Sequence, residues 1–309
     1  MNAPDGNAAR DFNLGLFYAL VALIWWGMAT TIYFKILGAV PLFEIMAHRV
    51  VWSFVMAAVI ITAVRSWRPF LEAWSQPRVL LLLLLSMGMM ISNWGVFIYS
   101  VTSDQIVAAS LGAFINPLIS VAMGMIFLRE KLRPLQKVAC LIAILGVVIL
   151  TVQIGTLPWI ALSLAITFSA YGFIRKIVRT EALVGYMLES SLYLPPAVAY
   201  LLWLTYTGEI SFTGTDIQTD ALLLGAGVVT ALPLITFAAA ARKLPLSILG
   251  VMQFIAPVCT LLVGILMYGE PFTWSDAIPF GIIWIALIIH AGDLIQLQRE
   301  LSRSPATTG

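Results

Sequence analysis

Long apolar runs separated by short polar breaks make up most of the chain. Ten of them are long enough to read as membrane-spanning helices: Leu14–Leu37, Phe43–Val64, Val79–Val101, Ile106–Leu128, Leu135–Ile154, Leu157–Ile174, Val184–Tyr206, Asp220–Ala240, Leu246–Tyr268 and Ser275–Asp293. A helix rising 1.5 Å per residue needs about 20 apolar residues to cross roughly 30 Å of hydrocarbon. Sustained period-two alternation, the mark of a transmembrane barrel, is missing. The breaks carry loop punctuation: Pro41, Pro77, Pro134, Gly155 with Pro158, Gly208, Gly214, Pro245 and Pro271. The pattern predicts an all-α polytopic membrane protein with ten transmembrane helices.

Composition narrows the class. Of 309 residues, 61% are apolar and only 10% charged, against about 25% charged in ordinary soluble domains. A mean hydropathy of +0.98 excludes a soluble globular domain, and it excludes disorder, which needs few apolar and many charged residues. Two cysteines, Cys140 and Cys259, each inside an apolar run, exclude a disulfide scaffold.

The placement of charge predicts orientation, because basic loops stay cytoplasmic. Alternate connections hold Arg65, Arg68 and Arg78; Arg129, Lys131, Arg133 and Lys137; Arg175, Lys176 and Arg179; and Arg242 with Lys243. With Arg10, Arg299 and Arg303 in the tails, this side carries 15 of the 17 basic residues. The opposite connections hold Lys35 and the acids Asp104, Glu209, Asp216, Asp220, Glu270 and Asp276. Both termini are therefore expected in the cytoplasm. The first run is too long for a cleaved signal and lacks a small-residue cleavage site.

The chain also resembles itself. Shifted by 140 residues, Phe114, Ile115 and Pro117 fall on Phe254, Ile255 and Pro257, Gly124 on Gly264, and Glu130 on Glu270. Near the start of each half the offset is 145, pairing Gly27 with Gly172 and Glu44 with Glu189. Two similar halves, each with an odd number of spans, must enter the membrane from opposite sides, as in inverted-repeat transporters. The expected organisation is a tail over 1–13, one five-helix repeat over 14–154, a second over 157–293, and a tail over 294–309.

The run ending Leu128-Arg129-Glu130-Lys131-Leu132, echoed by Tyr268-Gly269-Glu270-Pro271, resembles the EamA domain of the drug/metabolite transporter superfamily. The opening GLFYALVALIWWGMATTIYFKIL, followed by PLFEIMAHRVVWS from Pro41, resembles the RarD branch more narrowly, with Glu44-Ile-Met-Ala-His48-Arg49 as its most specific stretch. The resemblance runs from about Leu14 to Asp293. It implies a bacterial inner-membrane permease of ten helices in two inverted halves. RarD-like proteins are described as chloramphenicol-resistance permeases.

Charged residues inside spans are costly and are candidates for function. Glu44, His48 and Arg49 sit at the outer end of the second span, and Glu189, the counterpart of Glu44, at the inner end of the seventh. They read either as gating or proton-coupling groups, or as a structural network in which Glu44, Arg49 and His48 hold the second span. His290 reads as interfacial. Trp26, Asn93, Trp94, Asn116, Tyr171 and Gln253 lie deep in spans. As a set they fit a largely apolar substrate cavity with a few polar groups. Pro117 and Pro257 predict helix kinks at matched positions. The small stripes Gly112, Asn116, Ser120, Gly124 and Ala256, Thr260, Gly264 predict close packing between the halves.

No P-loop, HExxH, GxSxG or paired Cys/His set occurs, so no ATP-driven pump or metal site is expected, nor any cofactor. The reading is a secondary transporter of a small organic molecule working by alternating access. A passive channel or facilitator, and a membrane-embedded enzyme, are the alternatives. The expected partners are membrane lipids and the small-molecule substrate, with no nucleic acid; a homodimer is left open.

Overall fold

The computed structural model describes residues 6–37, 40–102, 106–154, 159–214, 216–269 and 274–303. All regular structure among them is helical. Helix α1 (Gly6–Trp25) runs through a π-helical segment (Trp26–Thr30) into α2 (Thr31–Ile36). Then come α3 (Leu42–Ala63), α4 (Trp67–Trp74), α5 (Pro77–Thr102), α6 (Ile106–Phe127) and α7 (Pro134–Ile154). The chain continues through α8 (Trp159–Ile177), α9 (Ala182–Thr207), α10 (Ile217–Lys243), α11 (Leu246–Met252), α12 (Ile255–Tyr268) and α13 (Trp274–Arg303). Asp104, Gly155, Leu157, Pro158, Glu270 and Pro271, named above, lie outside the described residues, as do the outermost tail residues.

Among the described residues, six stretches are long and apolar enough to cross a membrane: Arg10–Phe34, Leu42–Ala63, Pro77–Phe97, Trp159–Ile177, Ile217–Lys243 and Leu246–Tyr268. Shorter apolar helices cover Gly112–Phe127, Pro134–Ile149 and Trp284–Leu297, and α9 is 26 residues long. Large apolar side chains face outward along these helices, among them Phe17, Val59, Leu81, Ile126, Leu141, Leu202 and Ile288. Water would penalise that surface, whereas lipid solvates it.

Helix ends follow local chemistry. Pro77 and Pro134 open α5 and α7, where a missing N–H costs nothing. Asp216 caps α10 by accepting from Gln218 N and Thr219 N. The Thr219 hydroxyl and these backbone bonds hold its carboxyl below the usual range. Gly208 closes α9 at φ 74°, in the left-handed region glycine enters without strain.

Packing brings α3 against α9 and α10, α6 against α8 and α11, and α7 against α13. It also brings α1 against α10, α5 against α8, and the π-segment against α12. Glycine sets the tightest approaches. A Cβ at Gly227 would lie 2.5 Å from the Trp52 carbonyl oxygen, and one at Gly250 would lie 3.0 Å from that of Pro117.

Four features depart from the sequence reading. The first span is continuous but passes through the π-turn. The ninth is interrupted at Gln253–Phe254, between α11 and α12. Pro257 cannot donate to Gln253, which is where the helix breaks; α6, by contrast, runs unbroken through Pro117. The connection after α3 contains an extra helix, α4. It exposes Trp67, Leu71 and Trp74 while burying Phe70 and Ala73, the amphipathic pattern of a helix lying in the membrane interface. Finally, α1 begins at Gly6 and α13 continues to Arg303, so much of both expected tails is helical. Arg133 holds the α13 extension through Asp293 at 2.9 Å and Glu300 at 2.9 Å.

Candidate substrate cavity

A cavity of about 270 Å³ lies between α1, α5, α6, α8 and the α11–α12 break. Trp26, Leu23 and Phe168 form part of its apolar wall, with Phe97, Ala113 and Pro257. Asn93, Asn116 and Gln253 supply its polar groups. Trp26 opens the π-segment, a local unwinding common at functional sites. Its ring packs edge-on to Phe168, with centroids 5.4 Å apart, and against Phe237 at the same distance.

The polar groups are tied to one another and across helices. The Asn116 amide donates to the Gln253 side-chain oxygen. Gln253 donates to Ser120 Oγ at 3.2 Å, and the Ser169 hydroxyl donates to Asn116 Oδ1 at 2.8 Å. Asn93 donates to the Leu164 carbonyl at 2.8 Å and to Thr167 Oγ1 at 3.0 Å. The Asn93 side-chain oxygen and the Trp26 indole N–H have no hydrogen-bond partner among the described residues.

The structure thus brings Trp26, Asn93, Asn116, Gln253 and Pro257 to one cavity. Trp94 and Tyr171 do not line it. Trp94 faces a lateral groove of about 370 Å³ between α3, α5 and α9. Tyr171 is buried behind Phe168 and stacks on Phe237, with centroids 6.2 Å apart and ring planes at 20°. Its hydroxyl has no partner among the described residues. Sequence reading missed Ser169 and Phe168, which lie on α8 beside Tyr171; a serine in an otherwise apolar turn was the available signal.

The charged cluster of α3 splits in two. Glu44, fully buried, accepts from Ser211 N at 2.7 Å, Ser211 Oγ at 2.8 Å and Phe212 N at 3.3 Å. It ties the start of α3 to the α9–α10 connection. His48 accepts from the Trp52 indole at 3.1 Å, and its Nε2 lies 3.9 Å from Glu44. Arg49 does not join them. Its Nε donates to Thr230 Oγ1 at 2.8 Å, and its guanidinium lies over the Trp94 ring at 4.2 Å and the Phe34 ring at 5.3 Å. The expected three-residue network is therefore a Glu44–His48 pair plus a separate arginine. Arg49 sits one position on from His48, about 100° around the helix, and so faces α10 rather than the loop.

Glu189 lies in a different setting from its matched residue Glu44. Its carboxylate is 3.6 Å from Arg175 and accepts from Ser86 at 2.8 Å, with both charged side chains 1% exposed. Arg175 also donates to the Ala182 carbonyl at 2.9 Å. His290 is buried, and neither ring nitrogen has a hydrogen-bond partner among the described residues.

Comparison with known proteins assigns the class. The profile of the EamA-like transporter family matches residues 13–152. An uncharacterized transporter of Vibrio cholerae is 44% identical over 92% of this chain and 94% of its own length. Protein RarD of Escherichia coli is 38% identical over 96% of this chain and 99% of its own. A Pseudomonas aeruginosa relative, 31% identical over 88% of this chain and 91% of its own, carries the name chloramphenicol-sensitive protein RarD. A crystal structure of another protein, 17% identical, superposes with a TM-score of 0.70 over 92% of this chain and 98% of that one, and so shares the fold. The molecule is a multi-pass membrane transporter of the drug/metabolite type. It belongs to the EamA-like transporter family, on the RarD branch.

Proposed function

We propose that the protein is a secondary active transporter of a small organic molecule, working by alternating access in the bacterial inner membrane. In this reading ten spans form two inverted five-helix halves, residues 14–154 and 157–293, with both termini cytoplasmic. The observation that carries it is the cavity itself. Its walls come from α1, α5 and α6 of one half and from α8 and the α11–α12 break of the other. A discontinuous helix beside a cavity between repeats is the recurrent form of a transporter site.

The helix pairing supports the repeat. Three helices pack on their own counterparts: α3 on α9, α6 on α11 and α7 on α13. The contact of α1 with α10 has its mirror in α8 with α5, and that of α6 with α8 in α12 with the π-segment. A two-fold relation between the halves would produce this pattern. Trp26 and Tyr171, 145 residues apart, both pack on Phe237.

The test has two stages. Metabolites, amino acids and chloramphenicol are screened for thermal stabilisation of the purified protein. Stabilising compounds are then tested in proteoliposomes. A transporter saturates and shows counterflow. Flux that rises linearly without counterflow would indicate a channel, and chemical alteration of the compound an enzyme.

A further inference from the structure

Arg49 carries an unspent capacity to bind an anion. Its side chain is 8% exposed, on the eighth residue of α3, which puts it about 10 Å along the helix from its outer end. Trp94 and Phe34 lie over its guanidinium, and Thr230 takes the Nε proton at 2.8 Å. Neither ring supplies an acceptor to the guanidinium nitrogens. The two terminal nitrogens, which carry four of its five N–H donors, meet no acceptor among the described residues. No carboxylate of the described residues lies within 4.0 Å of it. The contrast with Arg175 is direct, because that arginine is neutralised by Glu189.

A buried cation without a counter-ion is costly in a membrane protein, and such residues are kept where they serve a substrate or ion pathway. Nor is Arg49 part of the repeated scaffold: at the 145-residue offset that matches Glu44 to Glu189, its counterpart is Leu194. The two unpaired terminal nitrogens form the planar fork that donates to a carboxylate through two parallel hydrogen bonds. Trp94 connects this cation to an apolar surface, since its ring also lines the groove with Met46 and Tyr193.

We propose that Arg49 recognises the carboxylate of an amphipathic organic acid carried by this protein, its apolar part held by the neighbouring aromatic side chains. This rests on the transporter reading above and adds the substrate class to it.

The test uses matched acids and their primary amides: phenylacetate and phenylacetamide, indole-3-acetate and its amide, hexanoate and hexanamide. Thermal shift and equilibrium binding are measured on the purified protein in nanodiscs, independently of transport. At least one acid should bind the wild type more tightly than its amide. Arg49→Gln should remove that preference, a loss of roughly tenfold or more in affinity for the acid, without changing affinity for the amide. Arg49→Lys, which keeps the charge but loses the fork, should fall between them. If Arg49→Gln does not fold, Arg49→Lys alone decides: it must weaken the acid and spare the amide. The proposal is overturned if no acid exceeds its amide, or if the folded variant keeps the wild-type preference. Counterflow of the same compounds separates the two readings. Acid binding lost with Arg49 but no counterflow would sink the transporter reading and leave this site. Saturable counterflow of amides and acids alike would do the reverse.

Discussion

The side-chain amide of Asn116 donates to the side-chain oxygen of Gln253, joining α6 to the break between α11 and α12. Gln253 passes the connection on to Ser120, and Ser169 closes it on Asn116. The polar lining of the cavity is therefore also the clamp that holds the broken helix. Binding and stability should separate by residue around it.

Trp26→Ala and Asn93→Ala remove groups that keep free hydrogen-bonding capacity in the cavity. Each should weaken ligand affinity by about 0.5–1.5 kcal/mol for the lost bond, up to roughly tenfold. Trp26→Ala adds the loss of an aromatic wall. Asn116→Ala should instead lower thermal stability by about 1–3 kcal/mol, because it removes the donor to the Gln253 side-chain oxygen and one acceptor of the Ser169 hydroxyl. Binding and melting curves on the same preparations check both. Unchanged affinity in Trp26→Ala would move the site elsewhere.

Glu44 is bonded to backbone and hydroxyl donors of the α9–α10 connection. Glu44→Gln turns one acceptor oxygen into a donor facing Ser211. Stability should drop by about 1.5–3 kcal/mol, the range for hydrogen bonds to a charged group, while transport per folded molecule stays near the wild type. Transport lost at unchanged stability would show that Glu44 gates.

Glu189→Gln leaves Arg175 buried without its carboxylate. Breaking a buried pair costs about 3–5 kcal/mol, and removing both partners much less. Pairing Glu189→Gln with Arg175→Met should therefore recover most of the stability lost by the single change. A double variant no more stable than the single one would argue against ion pairing as the role of Glu189.

Gly124 lies where a Cβ would come 2.8 Å from the Glu130 carboxylate and 3.1 Å from Ser247 N. That carboxylate accepts from Leu246 N at 2.7 Å and Ser247 N at 2.8 Å, capping α11. Gly124→Leu should break the cap and reduce the yield of folded protein, as seen by size-exclusion chromatography. A well-folded Gly124→Leu protein would mean that the helices can separate freely here.

Reporter fusions after Ser66, Leu132 and Lys243 should report the cytoplasm, and fusions after Gly214 and Thr273 the outside. A cytoplasmic signal at Gly214 would overturn both the ten-span count and the inverted repeat.

The all-helical membrane class was fixed by the apolar runs alone, since only a helix satisfies its own backbone inside lipid. Most helix starts were legible too, because Pro41, Pro77, Pro134 and Pro245 act locally. Of the cavity, Asn93, Asn116 and Gln253 could be read, because an amide deep in an apolar span is expensive and visible in one dimension. Tertiary structure decided the rest. Arg49 and Glu44 are five residues apart, yet one meets Thr230 and Trp94 while the other meets Ser211. Glu44 and Glu189 match in sequence but differ in partner, because one reaches a loop and the other an arginine on a neighbouring helix. Trp94 and Tyr171 looked equivalent to Trp26 until packing turned one towards a lateral groove and buried the other behind Phe168. Spacing along a helix gives a side chain its depth and direction. For Trp26, Glu44 and Arg49, what the side chain meets there comes from segments far away in sequence, and no local rule encodes that.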